Sequence, residues 1–339
     1  MGSIKKSTCV VTGAGGFIGS HLAQALLKRG AKVRALVHYN ALGSIGHLAE
    51  AREGLSDDES KRLEIIAGDV RDGRCMRELI EGSDVVFHLA ALIGIPYSYS
   101  APESYIDTNV RGTMHVLEAC RHAGVERVIH TSTSEAYGTA RTESIREQHL
   151  LQAQSPYSAS KIAADKLAES YHLSFDLPLI TLRPFNTYGP RQSLRAVIPT
   201  IMAQVLSEKC DKIRLGSLDP ERDLTYVGDT VEAFCMAAEA PIDKACGRLY
   251  NLGTGRGISI GDLARMILKI TASDKPLVQS AERKRPEKSE VMRLLSDPSR
   301  IQKEIGWQAM TPLETGLQAT LDWLQAHPAQ LAEAEKYII

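Results

Sequence analysis

The stretch TCVVTGAGGFIG, residues 8–19, decides the fold of this 339-residue chain. Its first five residues are apolar or β-branched, which predicts a short buried strand. Glycines follow with the spacing G-x-x-G-x-x-G, and residues 20–29 then show helical periodicity. A glycine-rich turn between a strand and a helix lets backbone N–H groups at the helix N-terminus approach a pyrophosphate. We therefore predict a dinucleotide site here.

The composition is that of a globular protein without strong charge. Hydrophobic residues make up 43% of the chain, charged residues 24%, and the formal net charge is −1. This balance argues against nucleic acid as a partner. We find no apolar run of membrane-spanning length and no signal peptide, and so expect a cytoplasmic protein without a membrane partner.

The cysteines indicate a reducing compartment. None of them forms a Cys-x-x-Cys pair or a metal-like pairing with histidine, so we predict free thiols and no metal site. They are Cys9, Cys75, Cys120, Cys210, Cys235 and Cys246.

Strand and helix patterns alternate through the first half of the chain. This alternation predicts an α/β fold with a Rossmann-like, doubly wound parallel sheet. We predict further strands at residues 32–37, 63–67, 84–91, 127–131 and 179–183, and long helices at 104–123 and 155–173. After residue 183 the alternation decays, and short helices are predicted at 197–207, 231–239, 260–271 and 312–326.

The decay marks a predicted domain boundary. We assign residues 1–183 to a dinucleotide-binding domain, to which residues 225–252 are expected to return. Residues 184–224 and 253–339 are assigned to a smaller, mixed α/β substrate domain.

The end of the second predicted strand lacks the acidic residue that usually holds the adenosine ribose of NAD. No Asp or Glu occurs between Ser20 and Ala49, and His38 and Asn40 stand in its place. No arginine replaces it, so the choice between NAD and NADP stays open here. Asp69, after the third strand, is either an acceptor for an adenine amine or an ordinary turn residue.

Tyr157 and Lys161 are spaced to share one face of a helix. Ser155 and Pro156 before them have the form of an N-cap and a first-turn proline. An ammonium group beside a phenol favours the phenolate and lowers its pKa, and such a pair can accept a proton from a substrate hydroxyl. An ordinary helix with an exposed lysine would show the same spacing, so the pair alone is weak support for this chemistry.

Hydroxyl groups and a carboxylate follow the fifth predicted strand, in the run Thr133-Ser134-Glu135. The carboxyl ends of parallel strands are where such sheets place their chemistry. Downstream, basic residues cluster in predicted loops, which indicates an anion pocket unless they form a solvated surface. They are Arg191, Arg195, Arg222, Arg283, Lys284, Arg285 and Lys288.

Taken together, these motifs resemble those of the extended short-chain dehydrogenase/reductase superfamily, in its nucleotide-sugar branch. The resemblance covers residues 12–19 (TGAGGFIG), 68–70 (GDV), 88–91 (HLAA), 109–113 (NVRGT), 157–161 (YSASK), 183–186 (RPFN), 188–191 (YGPR), 222–223 (RD) and 226–227 (YV). It implies a tightly bound nicotinamide cofactor that is reduced and reoxidised within one turnover.

The resemblance also implies a role for individual residues. The implied catalytic residues are Tyr157, Lys161, Thr133, Ser134 and Glu135. The implied cofactor-binding residues are Gly13, Gly16, Phe17, Ile18, Gly19, His38, Asn40, Asp69, Val70, Leu89, Ala90, Ala91, Asn109, Tyr157 and Lys161, with NAD as the expected cofactor and NADP not excluded. The implied substrate-binding residues are Asn186, Arg191, Val197, Pro199, Arg222 and Arg285.

The residues after Thr133 point to the 4,6-dehydratases of nucleotide sugars. Epimerases usually carry a small residue where Glu135 stands. Residues 152–161 and 285–291 look like those of the legionaminic-acid-pathway dehydratases, which act on UDP- or GDP-linked N-acetylglucosamine. A UDP-glucuronate decarboxylase, a 4-epimerase or a non-catalytic dinucleotide sensor on the same fold are the alternatives. The family also implies a homodimer joined by the helices predicted at 104–123 and 155–173.

Overall fold

The computed structural model describes residues 3–283 and 289–331. The strands are β1 (Thr8–Thr12), β2 (Lys32–His38), β3 (Leu63–Gly68), β4 (Val85–His88), β5 (Arg127–Thr131), β6 (Leu179–Pro184), β7 (Asn186–Tyr188), β8 (Ile213–Leu215), β9 (Glu221–Tyr226), β10 (Leu249–Leu252), β11 (Gly257–Ser259), β12 (Leu277–Gln279) and β13 (Arg293–Leu294).

The α-helices are α1 (Phe17–Lys28), α2 (Leu48–Glu53), α3 (Asp57–Lys61), α4 (Gly73–Ile80), α5 (Ile95–Ser100), α6 (Pro102–Tyr105), α7 (Gly112–Ala123), α8 (Pro156–Phe175), α9 (Val197–Leu206), α10 (Val227–Glu239), α11 (Ile242–Ala245), α12 (Ile260–Ile270), α13 (Ser299–Ile305) and α14 (Leu313–Ala326). A π-helix spans Ile106–Arg111, and 3₁₀ helices span Ser134–Tyr137, Ala281–Arg283 and Pro328–Leu331.

The central sheet has seven parallel strands in the order β10-β6-β5-β4-β1-β2-β3. This is the doubly wound order, in which the chain leaves β1 in one direction and returns to β4 on its other side. The predicted Rossmann-like α/β fold is thus confirmed. The predicted strands agree with the observed ones to within a few residues at their ends.

Both faces of this sheet are buried, because successive strand residues point to opposite sides. Val11 and its neighbours pack with Leu22 of α1 and Phe234 of α10. Val10 packs on the other face with Met76 of α4 and Val116 of α7. Near-continuous apolar strands are what a doubly covered parallel sheet requires.

The prediction of one continuous α-helix over residues 104–123 is wrong. α6 gives way to the π-helix Ile106–Arg111, and regular α-helix resumes only at Gly112. Inside the π-helix the buried Asn109 donates to the Leu92 carbonyl oxygen and to Ser160 Oγ, both at 2.9 Å, and accepts from the Leu92 N–H at 2.8 Å. We attribute the widened turn to these bonds, which a period-3.6 pattern cannot reveal.

The remaining strands form smaller sheets beside the central one. β9 pairs in parallel with β7 and β13 and antiparallel with β11, and β8 pairs with β12. A separate apolar core lies among α9, α12 and α14. The strand β10 joins β6 at the edge of the central sheet. The exact division of the chain into two domains stays a prediction.

Candidate active site

A cavity of about 870 Å³ opens at the carboxyl ends of the central strands, where the sheet order reverses between β1 and β4. Such a switch point is the usual ligand site of doubly wound sheets. The cavity brings together most of the residues that the sequence singled out. They are Gly13, Gly16, Phe17, Ile18, Gly19, His38, Asn40, Leu89, Ala90, Ala91, Thr133, Glu135, Tyr157, Lys161, Asn186, Val197 and Arg222.

The glycine turn forms one wall of the cavity and has no room for side chains. Gly13 has a φ of +72°, and a Cβ atom there would lie 2.9 Å from the backbone nitrogen of Ala90. A Cβ at Gly19 would come within 2.2 Å of the Gly13 carbonyl oxygen. The N-cap of α1, Gly16, makes no side-chain capping bond, and the first turn holds no acid. Free N–H groups at a helix N-terminus suit a pyrophosphate, so this wall fits a dinucleotide.

The loop after β2 covers the glycine turn. The N–H of His47 donates to the Gly15 carbonyl oxygen at 2.9 Å, and Gly46, at φ +62°, lies so close to Gly15 that a Cβ would clash. The Asn40 side chain accepts from the N–H of Ser44 at 3.0 Å and donates to its carbonyl at 2.7 Å. Asn40 therefore lines the cavity and also shapes its own loop.

Asp69, Val70 and Asn109 are not among the described residues that line the cavity. Asp69 makes an ion pair with Arg71 at 2.6 Å, and the hydrogen bond from Arg71 holds its pKa below the usual range. Val70 packs against Gly112, where a Cβ would lie 2.8 Å from it. Asn109 is engaged by the π-helix bonds described above. Their assignment as cofactor-binding residues stays a prediction.

Tyr157 and Lys161 face the cavity from the first turns of α8. This helix begins as predicted, with Ser155 accepting from the Ser158 N–H in a capping box and Pro156 in the first turn. Lys161 Nζ donates to the Thr131 carbonyl oxygen at the end of β5, at 2.7 Å. Tyr105 packs edge-on against the Tyr157 ring.

The expected lowering of the Tyr157 pKa is wrong for this arrangement. Burial raises the pKa of the phenol, a hydrogen bond with Thr133 opposes the rise, and the nearby Glu135 carboxylate adds to it. Burial also lowers the pKa of Lys161 to about 8. The physical reason is that both groups lose hydration, which disfavours each charged form.

Thr133 and Glu135 stand at the end of β5, in the turn that leads into the 3₁₀ helix Ser134–Tyr137. Thr133 is the N-cap, and its Oγ1 accepts from the Glu135 N–H at 3.3 Å. This places the Glu135 side chain in the same cavity as Tyr157 and Thr133. Ser134 is buried and is not among the described residues that line the cavity, so its catalytic role stays a prediction.

The cavity lining also includes an ion pair between an arginine and a glutamate. Arg222 Nη2 donates to Glu290 Oε1 at 3.2 Å, and both residues line the cavity, as do Arg195 and Arg283. Asn186, at the start of β7, donates to the Asp223 carbonyl oxygen at 3.4 Å. Of the basic loop residues that predicted an anion pocket, Arg195, Arg222 and Arg283 line the described cavity, and the anion pocket itself stays a prediction.

Two predicted substrate residues lie elsewhere, and one is outside the described residues. Arg191 is buried in the left-handed region at φ +67°, with its Nε 3.3 Å from Glu50 Oε1, and it does not appear in the described cavity wall. Pro199 is buried in α9 and is likewise absent from that wall. Arg285, with Lys284 and Lys288, lies outside the described residues.

Several cavity residues had no signal strong enough to predict them. Glu290 lies in the stretch 285–291 that carried a resemblance but was given no role of its own, and Gln192 and Ser193 lie in an irregular loop. The segment Ser44, Ile45 and Gly46 carries a glycine signal, as does Gly43 before it. That signal could have been used to predict a turn that closes on the glycine loop.

No helix in residues 3–283 and 289–331 has the length and apolar character needed to cross a membrane. In the same residues, no group of three or more His, Cys, Asp and Glu side chains is arranged to hold a metal ion.

The chain is similar in sequence to enzymes that act on nucleotide sugars. The dTDP-glucose 4,6-dehydratase of Streptomyces griseus is 33% identical over 322 residues, which cover 94% of each protein. A trifunctional UDP-glucose 4,6-dehydratase/UDP-4-keto-6-deoxy-D-glucose 3,5-epimerase/UDP-4-keto-L-rhamnose-reductase of Arabidopsis thaliana is 31% identical over 96% of this chain. The chain spans about half (48%) of that plant protein's length.

Solved structures show the same fold. The dTDP-glucose 4,6-dehydratase DesIV of Streptomyces venezuelae, with NAD and TYD bound, superposes with a TM-score of 0.85 at 27% identity, covering 96% of this chain and 99% of that one. The UDP-glucuronic acid 4-epimerase of Bacillus cereus, with UDP-glucuronic acid and NAD, gives a TM-score of 0.85 at 29% identity, covering 94% and 99%.

The family model described as GDP-mannose 4,6 dehydratase matches residues 10–320. The matched range includes the glycine turn, the helix that carries Tyr157, and the cavity residues Arg195, Arg222 and Arg283. The chain therefore belongs to the GDP-mannose 4,6 dehydratase family, among the nucleotide-sugar dehydratases and epimerases of the extended short-chain dehydrogenase/reductase fold.

Proposed function

We propose that this protein is an NAD-dependent nucleotide-sugar 4,6-dehydratase, which converts a nucleotide-linked hexose to its 4-keto-6-deoxy form. The observation that carries the proposal is the position of Glu135. Its side chain lines the same cavity as Tyr157 and Thr133, and its charge acts on the Tyr157 phenol. A carboxylate in that place supplies the base that dehydration needs and that a simple inversion at carbon 4 does not need.

NAD is the proposed cofactor. The glycine turn fits a dinucleotide, and the structural relatives described above were solved with NAD. No Arg or Lys occurs between His38 and His47, the loop that follows β2. A 2′-phosphate would therefore find no cation at that position, which favours NAD over NADP.

In the proposed reaction, Tyr157 and Glu135 carry the protons that move. Tyr157 would accept the proton of the hydroxyl on carbon 4 as a phenolate, which a neighbouring ammonium favours and burial opposes. NAD, held at the glycine turn, would supply an acceptor for the hydride of carbon 4 and a hydride donor for carbon 6. The ketone acidifies carbon 5, and Glu135 removes that proton and passes it to the leaving oxygen of carbon 6. Carbon 5 then regains a proton, which balances the one held by Tyr157. The net change is the loss of one water.

The properties of Ser134 affect which group donates the proton to the leaving oxygen of carbon 6. A hydroxyl is a far weaker acid than a carboxylic acid. The Ser134 side chain is buried and is not among the described residues that line the cavity. We therefore propose that Glu135 both abstracts the carbon 5 proton and donates to the leaving oxygen, with Lys161 and Thr133 serving Tyr157.

The finer proposal concerns the sugar. We propose UDP- or GDP-linked N-acetylglucosamine, or a close hexose relative, as the substrate. Its support is the resemblance of residues 152–161 and 285–291, of which 285–288 lie outside the described residues. The relatives named above act on dTDP-glucose, UDP-glucose and UDP-glucuronic acid, so those sugars belong in any test.

A 4-epimerase is the second candidate function, because an epimerase of UDP-glucuronic acid shares the fold at the same TM-score as the dehydratase. Glu135 weighs against it. A UDP-glucuronate decarboxylase would use the same wall of hydroxyl and carboxylate groups. A non-catalytic sensor is disfavoured because Thr133, Tyr157 and Lys161 all reach one cavity.

The deciding experiment is a panel of nucleotide sugars incubated with the NAD-loaded protein, with the products separated by chromatography and analysed by mass. Loss of one water supports the dehydratase; an isomer of unchanged mass or release of carbon dioxide would replace it with an alternative. The matched variant is Glu135→Gln, which keeps the shape and removes the base. Formation of the 4-keto-6-deoxy product by that variant at the wild-type rate would refute the role of Glu135.

We also propose a homodimer formed through α7 and α8. Ile106, Leu173 and Phe175 expose large apolar surface on these elements or next to them. Burial of such side chains against a second copy would be favourable. Sedimentation of wild type and Phe175→Glu tests this: a wild-type monomer would contradict it, and the charged variant is expected to dissociate.

The proposed location is the cytoplasm. The support is chemical: the six cysteines are free, and Cys9, Cys120, Cys210 and Cys235 are buried. Buried thiols without disulfides are typical of a reducing compartment.

A further inference from the structure

Two buried charged side chains connect the elements that carry the proposed catalytic groups. Asp165 lies on α8, one turn after Lys161, and Arg183 lies in β6. Asp165 Oδ2 accepts from Arg183 Nη2 at 2.5 Å and from Ser132 Oγ at 2.6 Å. Neither Asp165 nor Arg183 is among the described residues that line the cavity. Their hydrogen bonds therefore reach the cavity only through other residues, while their charges act on Lys161.

Arg183 extends the connection to the segment that carries Glu135. Its Nε donates at 3.1 Å to the Oγ of Ser132, which is the residue directly before Thr133. Its guanidinium carbon lies 4.4 Å from the centre of the Tyr137 ring. Tyr137 ends the 3₁₀ helix that begins at Ser134, and its hydroxyl donates to Asn251 Oδ1 of β10 at 2.8 Å. The guanidinium therefore holds both ends of the Glu135 segment.

The pair remains charged although it is buried. Burial opposes ionisation of Asp165, but the hydrogen bond from His130 and the charge of Arg183 hold its pKa well below the usual range. His130 Nε2 lies 3.1 Å from Asp165 Oδ1, so both carboxylate oxygens are engaged. Each partner thus compensates a charge that would otherwise be buried alone.

We propose that the Asp165–Arg183 pair is a positioning element that fixes the Glu135 segment relative to Tyr157 and Lys161. Asp165 shares its helix with the phenol and the ammonium group, while Arg183 binds the segment with the carboxylate. The inference rests on the proposed function, since it gives Glu135 a step between hydride removal and hydride return. A pair that only stabilised the fold would affect both hydride transfers alike.

The test is a single-turnover measurement on the NAD-loaded Arg183→Lys variant. Lysine keeps the charge but loses the planar group that stacks on Tyr137 and donates along two directions. Absorbance of the reduced nicotinamide gives the rates of reduction and of reoxidation. We expect reoxidation to slow about 10- to 100-fold more than reduction, because small displacements of a positioned group are costly. Reduced cofactor then accumulates.

Arg127→Lys is the matched control. Arg127 begins β5, is as buried as Arg183, and donates to the carbonyl oxygens of Ala237 and Ala240, both at 3.0 Å. It has no described bond to the Glu135 segment. We expect Arg127→Lys to lower the melting temperature while the ratio of the two rates stays at its wild-type value. An equal loss in both rates for Arg183→Lys would overturn the proposal.

A second pair of variants covers the case in which Arg183→Lys does not fold. Tyr137→Phe keeps the ring under the guanidinium and is expected to keep the ratio, whereas Tyr137→Leu removes the ring and is expected to change it. Crystal structures provide a readout without turnover: the 3₁₀ helix should shift relative to α8 in Tyr137→Leu but not in Tyr137→Phe. An unmoved helix overturns the inference, whereas the mass of the wild-type product separately tests the proposed function.

Discussion

The ammonium group of Lys161 donates to the backbone carbonyl oxygen of Thr131 at 2.7 Å. This bond ties the helix that carries Tyr157 to the end of β5, two residues before Thr133. The cation is thereby held in place by the sheet itself. The same burial that fixes it lowers its pKa to about 8 and raises that of Tyr157.

Replacement of the phenol should abolish most turnover without loss of the fold. Tyr157→Phe removes the group that accepts the carbon 4 proton, and we expect kcat to fall by about 10²- to 10⁴-fold, the usual contribution of a general base. Binding of NAD, measured by calorimetry, should change little. The control is Tyr171→Phe on the same helix, whose hydroxyl donates to Glu118 Oε1 at 2.6 Å. Comparable kcat losses in both variants would contradict the assignment.

Lys161 makes the stability of the protein depend on pH in a defined window. Its pKa is about 8 in the folded protein against 10.5 for the free side chain. Below pH 8 the lysine is protonated in both states, and its buried charge destabilises the fold in full. Between these pH values the unfolded chain binds more protons than the folded one, so this contribution to stability rises with pH.

The measurement compares wild type with Lys161→Met by urea unfolding across that window. The free energy of unfolding of Lys161→Met, relative to that of wild type, should decline by on the order of 3 kcal/mol as pH rises from about 8 to 10.5. This value follows from the size of the pKa shift of Lys161. Lys166→Met, at an exposed position on the same helix, serves as the control for the loss of a lysine from α8. A constant difference for Lys161→Met would disprove the shift.

Removal of the Arg222 charge should weaken substrate binding more than catalysis. We expect Arg222→Gln to raise KM by about 10- to 100-fold, the value of a charge-assisted hydrogen bond to an anionic ligand, with kcat nearly unchanged. Arg293→Gln is the matched control, since Arg293 pairs with Glu221 at 3.1 Å and does not line the described cavity wall. An unchanged KM in Arg222→Gln would remove Arg222 from the substrate site.

Gly13 should tolerate no side chain. Gly13→Ala has to accommodate a φ of +72° and a contact of 2.9 Å with the Ala90 nitrogen. We expect loss of NAD binding in calorimetry together with lower thermal stability. The control is Gly82→Ala, with nearly the same φ of +66° and open space around the new Cβ, where we expect about 1–2 kcal/mol of destabilisation and normal NAD binding. Normal NAD binding by Gly13→Ala would contradict the assignment of the glycine turn as the dinucleotide site.

Local patterns were sufficient for β1 to β6 of the central sheet, whereas the edge strand β10 was not predicted as a strand. The apolar run at β1, the glycine turn and the capped start of α8 each depend on residues within a few positions of one another. The strand ends then had to meet at one edge of the sheet, because parallel strands place their carboxyl ends together. This is why Thr133 and Glu135 could be assigned to the carboxyl edge of the sheet before the fold was known, whereas their grouping with Tyr157 rested on the resemblance to the nucleotide-sugar branch.

Arg191 and Asn109 have partners that local patterns do not reveal. The substrate role of Arg191 stays a prediction from its motif, and its side chain lies against Glu50, far away in sequence. Asn109 sits in a helical pattern, lies within the π-helix and hydrogen-bonds to Leu92 and Ser160. Neither partner could be read from neighbouring residues.

By itself, the sequence determined most of the doubly wound sheet and the glycine turn, because spacing along one strand or helix encodes them, and its resemblance to the nucleotide-sugar branch indicated the phenol, ammonium and carboxylate groups. Only the tertiary structure decided their electrostatic state and their supports. The rise in the Tyr157 pKa, the Arg222–Glu290 pair and the Asp165–Arg183 contact all arise from burial and from partners distant in the chain. Desolvation depends on everything that surrounds a group, which no local pattern specifies.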